Sequence, residues 1–293
     1  MTLDNLVLGK STTYSDKYDA SLLQSVPRSL SRDQIALPKE LPFHGVDIWN
    51  GYEVSWLNSK GKPLIAILRC KVPVSSPNLI ESKSFKLYLN SFNQSQFASL
   101  EQVRQIMQKD LSDCAGQAVE LELLGFDCFA QLSLGQFESA QSESASHTNE
   151  PFDFALLDEL DIEIDDYQID PGRLSANESK TNNSQQEVKE LLVSHLLKSN
   201  CLITNQPDWG SVLIKYQGTK IDHENLLKYL ISFRQHNEFH EQCVERIFYD
   251  ILSQCKPSKL TVYARYTRRG GLDINPFRSN FEAPYADVRL ARQ

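Results

Sequence analysis

Sliding residues 87–114 by 141 positions aligns Tyr88 with Tyr229, Leu89 with Leu230, Ser91 with Ser232, Phe92 with Phe233 and Gln94 with Gln235. The same shift aligns Val103 with Val244, Ile106 with Ile247, Leu111 with Leu252, Ser112 with Ser253 and Cys114 with Cys255, ten identities in 28 positions. Most are apolar and recur at helical spacing, so the pattern predicts a duplicated domain. A chain of 293 residues has room for two such domains, each with its own core. The first copy reads as strands at Tyr52–Leu57 and Pro63–Val72 around an Asn58–Lys62 turn. The stretch Glu81–Phe92, a helix through Leu100, Val103, Ile106, Met107 and Leu111, and a half-exposed strand over Ala118–Leu124 follow. The second copy reads as a hairpin bending at Gln217-Gly218, between Val212–Tyr216 and Thr219–Ile221. A helix over Leu226–Phe233, a longer one from about Glu238 to Ser253 and a strand over Leu260–Tyr266 complete it. Hairpin, helices and strand in each copy predict the α+β class, an antiparallel sheet with helices on one face.

The flanking segments look different. Residues 1–41 are polar and rich in turn formers, and they read as an extended arm with little regular structure. The cluster Pro42–Trp49 reads as a loop pinned by its aromatic residues, or as part of a site. Between the copies, serine, glutamine and asparagine dominate both ends of a linker. Its middle holds nine acidic residues and no basic one between Glu150 and Asp170, and the alternation in Leu160–Asp165 predicts one short exposed strand. The resulting division is 1–135 for the arm and first module, 136–186 for the linker and 187–293 for the second module. The formal charge of -8 is concentrated in that linker, so it carries no signal for nucleic acid. No apolar run approaches the roughly 20 residues of a membrane span, and the first residues lack the pattern of a signal peptide, so the expected location is the cytoplasm. The six cysteines (Cys70, Cys114, Cys128, Cys201, Cys243 and Cys255) show no paired spacing, which argues against a zinc site and a disulfide framework.

Three stretches carry residue types suited to chemistry. In Ser199–Gly210 a thiol, Cys201, follows an apolar pattern through Val188, Leu191, Leu192, His195 and Leu196 that reads as a helix. A turn then presents Asp208, so thiol and carboxylate are a candidate nucleophile and proton-transfer group, or else a core cysteine beside a turn. Extending the buried stripe of the later helix backwards reaches His240, with Glu241 at its edge: either an acid/base pair at a helix N-terminus or a core histidine with a capping glutamate. Lys83 and Lys86 share a helix face and suit a phosphate or a solvated helix start. Arg268 and Arg269 close a strand before Gly270 and Gly271, which suits a phosphate monoester or an ordinary turn. No G-x-G-x-x-G follows a strand, so a Rossmann cofactor site is not expected.

Together, Glu81-Ser82-Lys83-Ser84-Phe85-Lys86-Leu87-Tyr88, Cys201 with Asp208, Phe233–Glu241 and Arg265–Pro276 resemble the motifs of the NADPH-dependent 7-cyano-7-deazaguanine reductases of queuosine biosynthesis. The resemblance covers nearly the whole chain outside the acidic linker, and it is to the long form with two modules. It implies two tandem tunnelling-fold modules, a barrel closed by a homodimer, and reduction of a nitrile to an amine with two NADPH. It further implies Cys201 as the nucleophile that forms a thioimide, Asp208 and His240 as proton donors, and Glu81 and Glu241 as anchors of the purine-like base. Ser82 falls in the substrate stretch, Phe239 would cover the ring, and Lys83, Ser84, Lys86, Arg268, Arg269 and Gly270 are the candidates for the NADPH phosphates. No metal is implied. Two alternatives stay open: a tunnelling-fold enzyme that hydrolyses or cyclises a purine or pterin, and a non-catalytic purine-binding module.

Overall fold

The computed structural model describes residues 14–125, 152–176, 187–287 and 289–293. Cys128, much of the expected linker and the first residues of the arm lie outside the described residues. The chain forms two compact units, one of Met1–Ala36, Val46–Ala140 and Arg268–Ile274, the other of Leu37–Gly45, Gln141–Thr267 and Asn275–Gln293.

In the first unit the described part of the arm carries regular structure. Ala20–Leu22 makes a 3-10 turn, β1 is Ser25–Pro27, and α1 is Ser29–Arg32. This corrects the expectation of an irregular arm, and its anchor is a charge. Arg28 Nη2 donates to Asp47 Oδ2 at 2.6 Å, with both side chains buried. The strand β2 is His44–Leu57, which also replaces the expected loop at Pro42–Trp49, because Ile48 and Trp49 alternate into the ladder and are 1% exposed. Pro63–Pro73 forms β3, antiparallel to β2 across the expected turn. Asn78–Ile80 is β4, paired with β1. Then come α2 (Ser82–Ser91), α3 (Leu100–Ala115) and β5 (Glu120–Leu124), which pairs with β3. Trp49, Trp56, Phe85, Tyr88, Phe92, Met107 and Leu111 fill the space between helices and sheet.

In the second unit β6 (Asp153–Leu156) runs parallel to β7 (Glu187–Asn200), and β7 is antiparallel to β8 (Pro207–Thr219). The helices α4 (His223–Ser232) and α5 (His240–Cys255) follow, then β9 (Lys259–Tyr266) and β10 (Leu272–Ser279). β9 lies between β8 and β10, antiparallel to both.

Three readings change here. The segment 188–196, expected as a helix, is β7. Its pairing slips between Ser194 and Leu197, and this bulge switches the buried face from Glu190, Leu192 and Ser194 to Leu197 and Ser199. The residues behind the helical reading are not one buried face: Leu192 is buried, Leu191 lies on the other face of the strand, and Leu196, 43% exposed, sits in the bulge. The expected hairpin at Gln217-Gly218 is the straight end of β8. A Cβ at Gly218 would lie 2.9 Å from Pro257 Cα, so this glycine permits a close backbone approach instead of a turn. Finally, the linker strand is at Asp153–Leu156 and not at Leu160–Asp165, where the alternation has no strand beside it among the described residues.

The duplication is visible in the geometry. α2 and α4 begin and end at positions 141 apart. Ser91 Oγ donates to Tyr88 O, and Ser232 Oγ to Tyr229 O, both at 2.6 Å. α3 and α5, however, repeat at 140: their ends, their left-handed caps Gly116 and Lys256, and their buried stripes correspond at that shift. The five identities from Val103 to Cys114 are therefore one residue out of structural register. The repeat is real, and half of the letters that suggested it are coincident with it and not equivalent.

Candidate active site

Cys201 follows the last residue of β7 and is 7% exposed. Its N–H donates to Gln206 O at 2.8 Å and its carbonyl accepts from Asn205 N at 3.0 Å, which closes the connection to β8 on itself. Asn205 sits in the left-handed region with φ 56°, a conformation that asparagine tolerates better than most residues. Asp208 is the second residue of β8 and pairs directly with Ser199, two residues before the thiol. Strand pairing alone therefore brings the carboxylate, 3% exposed, beside the strand that leads into the thiol.

His240 opens α5, and its Nε2 lies 3.6 Å from Asp208 Oδ1. That separation is longer than a hydrogen bond and leaves both groups facing one space; catalytic contacts are often long before substrate binds. The imidazole is held from behind by Tyr266, whose ring meets it edge-on at 4.1 Å between centroids. Tyr266 pairs with Gly210 across β8 and β9, and a Cβ at Gly210 would stand 3.2 Å from the tyrosine ring. The glycine thus makes room for the ring that positions the histidine. Burial, with the nearby Cys243 and Asp208, pushes the Tyr266 phenol well above its ordinary value, so it stays neutral. Glu241 is buried in the first turn of α5, where the helix dipole favours a carboxylate, and Phe239 is half-buried at the N-cap.

Cys201 lies in the connection between β7 and β8. Burial pushes the thiols of Cys70 and Cys243 well up and those of Cys114 and Cys255 to about 11, which holds all four protonated.

The remaining candidates lie in the first unit. Glu81 is the N-cap of α2: Oε1 accepts from Lys83 N at 2.8 Å and Oε2 from Ser84 N at 2.6 Å. The side chain expected to anchor a base thus already orders a helix. Ser84 is fully buried, its hydroxyl donating to Glu81 O and accepting from Gln24 N, so it presents nothing to a phosphate. Ser82, Lys83 and Lys86 are half-buried. Gly270 and Gly271 have φ 56° and 72° and turn the chain between Arg269 and Leu272. A Cβ on Gly270 would lie 3.2 Å from Lys86 Cδ, so the lysine stem runs along this turn, and the Arg268 guanidinium lies 4.9 Å from the Tyr52 ring centre. Lys86 and the Arg268–Gly270 turn, distant in sequence, form one basic cradle.

Sequence reasoning missed Tyr266, Asn200 and Asn237. Tyr266 could have been found only from the β8–β9 register. Asn237 lies inside the quoted Phe233–Glu241 run, but its role depends on a bridge to Asn200 that no periodicity encodes. Among the described residues no group of three or more His, Cys, Asp or Glu is arranged to hold a metal ion, and no helix is long and apolar enough to cross a membrane.

Residues 14–123 match the family described as nitrile reductase, 7-cyano-7-deazaguanine-reductase N-term, and residues 207–285 match that described as QueF-like protein. The first span contains Glu81–Lys86 and the second contains Asp208, Phe239–Glu241 and Arg268–Gly270, while Cys201 falls between them. The NADPH-dependent 7-cyano-7-deazaguanine reductase of Cupriavidus metallidurans is 55% identical over 297 aligned positions, covering 100% of both chains. The crystal structure of an archaeosine synthase QueF-Like in the apo form aligns with 35% of this chain at 17% identity and a TM-score of 0.30. On the full-length identity, the chain belongs to the family of NADPH-dependent 7-cyano-7-deazaguanine reductases.

Proposed function

We propose that the protein reduces the nitrile of 7-cyano-7-deazaguanine to the aminomethyl group in two two-electron steps. The observation that carries the reading is the convergence of Asp208 and His240, 3.6 Å apart, beside the strand end that holds Cys201. NADPH, when bound, supplies the hydrides. The basic cradle fits its phosphates: Lys83, Lys86, Arg268, Arg269 and the Gly270 backbone would hold them, and Gly270 leaves space that a side chain would fill.

The chain's own residues do the rest. The Cys201 thiol yields its proton to Asp208 and its sulfur bonds to the nitrile carbon, and Asp208 passes the proton to the nitrile nitrogen, giving a thioimide. After the first reduction the C–S bond breaks, the electron pair returns to sulfur, and the imine stays in the site. His240 gives a proton to the same nitrogen in the second reduction. Phe239 excludes water, which would hydrolyse the imine. Glu241, and Glu81 through the lone pairs that its capping bonds leave unused, accept from the N–H groups of the base.

The modules follow the division 1–135, 136–186 and 187–293, and the protein acts as a cytoplasmic homodimer without a nucleic-acid partner. Light scattering tests the dimer. Intact-protein mass tests the chemistry: mixing with 7-cyano-7-deazaguanine alone should add one substrate mass, and Cys201→Ala should abolish both the adduct and turnover, about 10³-fold or more. NADPH added afterwards should be oxidised at two per substrate. No adduct and no oxidation in folded protein would leave purine binding without reduction as the reading.

A further inference from the structure

The residues flanking Cys201 are joined to the segment before His240 by a chain of side-chain amides. Lys198 Nζ donates to Asn200 Oδ1 at 2.6 Å and to Arg234 O at 2.7 Å. Asn200 Nδ2 donates to Asn237 Oδ1 at 3.2 Å. Asn237 Nδ2 in turn donates to Asn205 Oδ1 at 3.1 Å and to the Cys201 carbonyl at 3.5 Å. The backbones are tied as well: Asn200 N donates to His236 O at 2.8 Å and Glu238 N to Asn200 O at 3.1 Å. The donors all point one way, from an ammonium towards the loop that carries the thiol, and hydrogen bonds in such a series strengthen one another.

We propose that Lys198, Asn200 and Asn237 are positioning residues that hold the Cys201 loop at a fixed distance from Asp208 and His240. None of them has a place in the chemical steps above. Their side chains reach the nucleophile's carbonyl and the loop residue Asn205, and the bridge Asn200 to Asn237 joins the end of β7 to the approach to α5. The nucleophile lies on one of these segments and a proton donor on the other. A sulfur displaced by about 1 Å from its attack geometry costs on the order of 10²-fold in rate, whereas the substrate pocket would lose little affinity.

This inference rests on Cys201 being the nucleophile, and its test separates the two ideas. The rate of adduct formation is measured by intact mass at saturating 7-cyano-7-deazaguanine without NADPH, alongside the substrate dissociation constant. Wild-type protein that forms no adduct would remove the proposed function itself. With the adduct formed, Asn237→Ala and Asn237→Asp should each slow its formation at least about tenfold while substrate affinity changes less than about twofold. The aspartate keeps the acceptor and loses the donor, so it should fail as the alanine does. Lys198→Met, at a half-exposed site that does not threaten folding, should slow the step in the same direction, and Lys198→Arg should restore most of it. Adduct formation at the wild-type rate in Asn237→Asp or in Lys198→Met would overturn the positioning role, as would a loss confined to substrate affinity.

Discussion

At the scale of the residue, the site depends on small side chains as much as on reactive ones. Gly210 allows Tyr266 to lie across β8, and Tyr266 supports the His240 ring. A methyl group at 210 would stand 3.2 Å from one ring carbon and 3.3 Å from the next, so the tyrosine must move by a few tenths of an ångström. The imidazole it touches would move too. Gly210→Ala should therefore lower kcat roughly tenfold and stability by about 1–3 kcal/mol, the usual cost of overpacking. Steady-state kinetics and urea unfolding check both numbers; unchanged kcat would mean that Tyr266 does not set the histidine. Glu81 poses the opposite problem, because the side chain proposed to hold the base already caps a helix. Glu81→Ala removes the α2 cap and should cost about 0.5–2 kcal/mol in urea unfolding without any substrate present. Any loss of substrate affinity is then to be read against that structural cost.

At the scale of the element, α5 is fastened at its N-terminal end by a buried charge. Glu238, 2% exposed, lies 2.8 Å from His236 Nε2 and accepts from Arg246 Nε at 2.8 Å, with Arg246 one helical turn and more into α5. Burial alone would raise the Glu238 carboxyl, but the neighbouring His236 and Arg246 outweigh it and the net shift is downward. A carboxylate with a depressed folded value gives its full stabilisation above the unfolded value, ~4.3, and loses it as pH falls through the lower folded one. The melting temperature should accordingly fall as pH drops below about 4.3, and Glu238→Gln should flatten that limb. Arg246→Met should cost about 3 kcal/mol at neutral pH, because it takes the guanidinium away from a buried carboxylate. Thermal unfolding followed by circular dichroism from pH 3 to 7, in roughly half-unit steps, distinguishes these outcomes. An acid limb with the same slope in Glu238→Gln would show that other carboxylates set it.

At the scale of the whole molecule, repeated letters and repeated geometry proved to be different things. The α2 and α4 helices, the first hairpin, and β5 and β9 were legible because apolar spacing and turn chemistry acted locally there. The strand β7 was not, since apolar residues from both of its faces and from the bulge between Ser194 and Leu197 happen to fall at helical spacing. The β8 reading failed for another reason: Gly218 serves a contact with Pro257 that lies far away in sequence. In the site, Cys201, Asp208, His240 and Glu241 were visible as residue types, while the amide chain through Asn237 depended on a strand register that no local pattern carries. The two copies have also diverged in what surrounds their shared features, and one pair of tyrosines tests this. Tyr229 Oη donates to Asp250 at 2.5 Å, and Tyr88 Oη to Asp110 at 2.7 Å. In the first unit Tyr18 Oη also donates to Asp110 at 2.7 Å, a contact supplied by the arm. Tyr88→Phe therefore leaves Asp110 with a phenol partner, and the loss should be about 1 kcal/mol or less. Tyr229→Phe takes the phenol from Asp250 and should cost about 1.5–3 kcal/mol, the range for hydrogen bonds to charged groups. Tyr18→Phe combined with Tyr88→Phe should bring the first unit's loss up to that of the second. Urea unfolding of the three variants measures the difference, and equal losses for the two single substitutions would show that the arm adds nothing to the copy it covers.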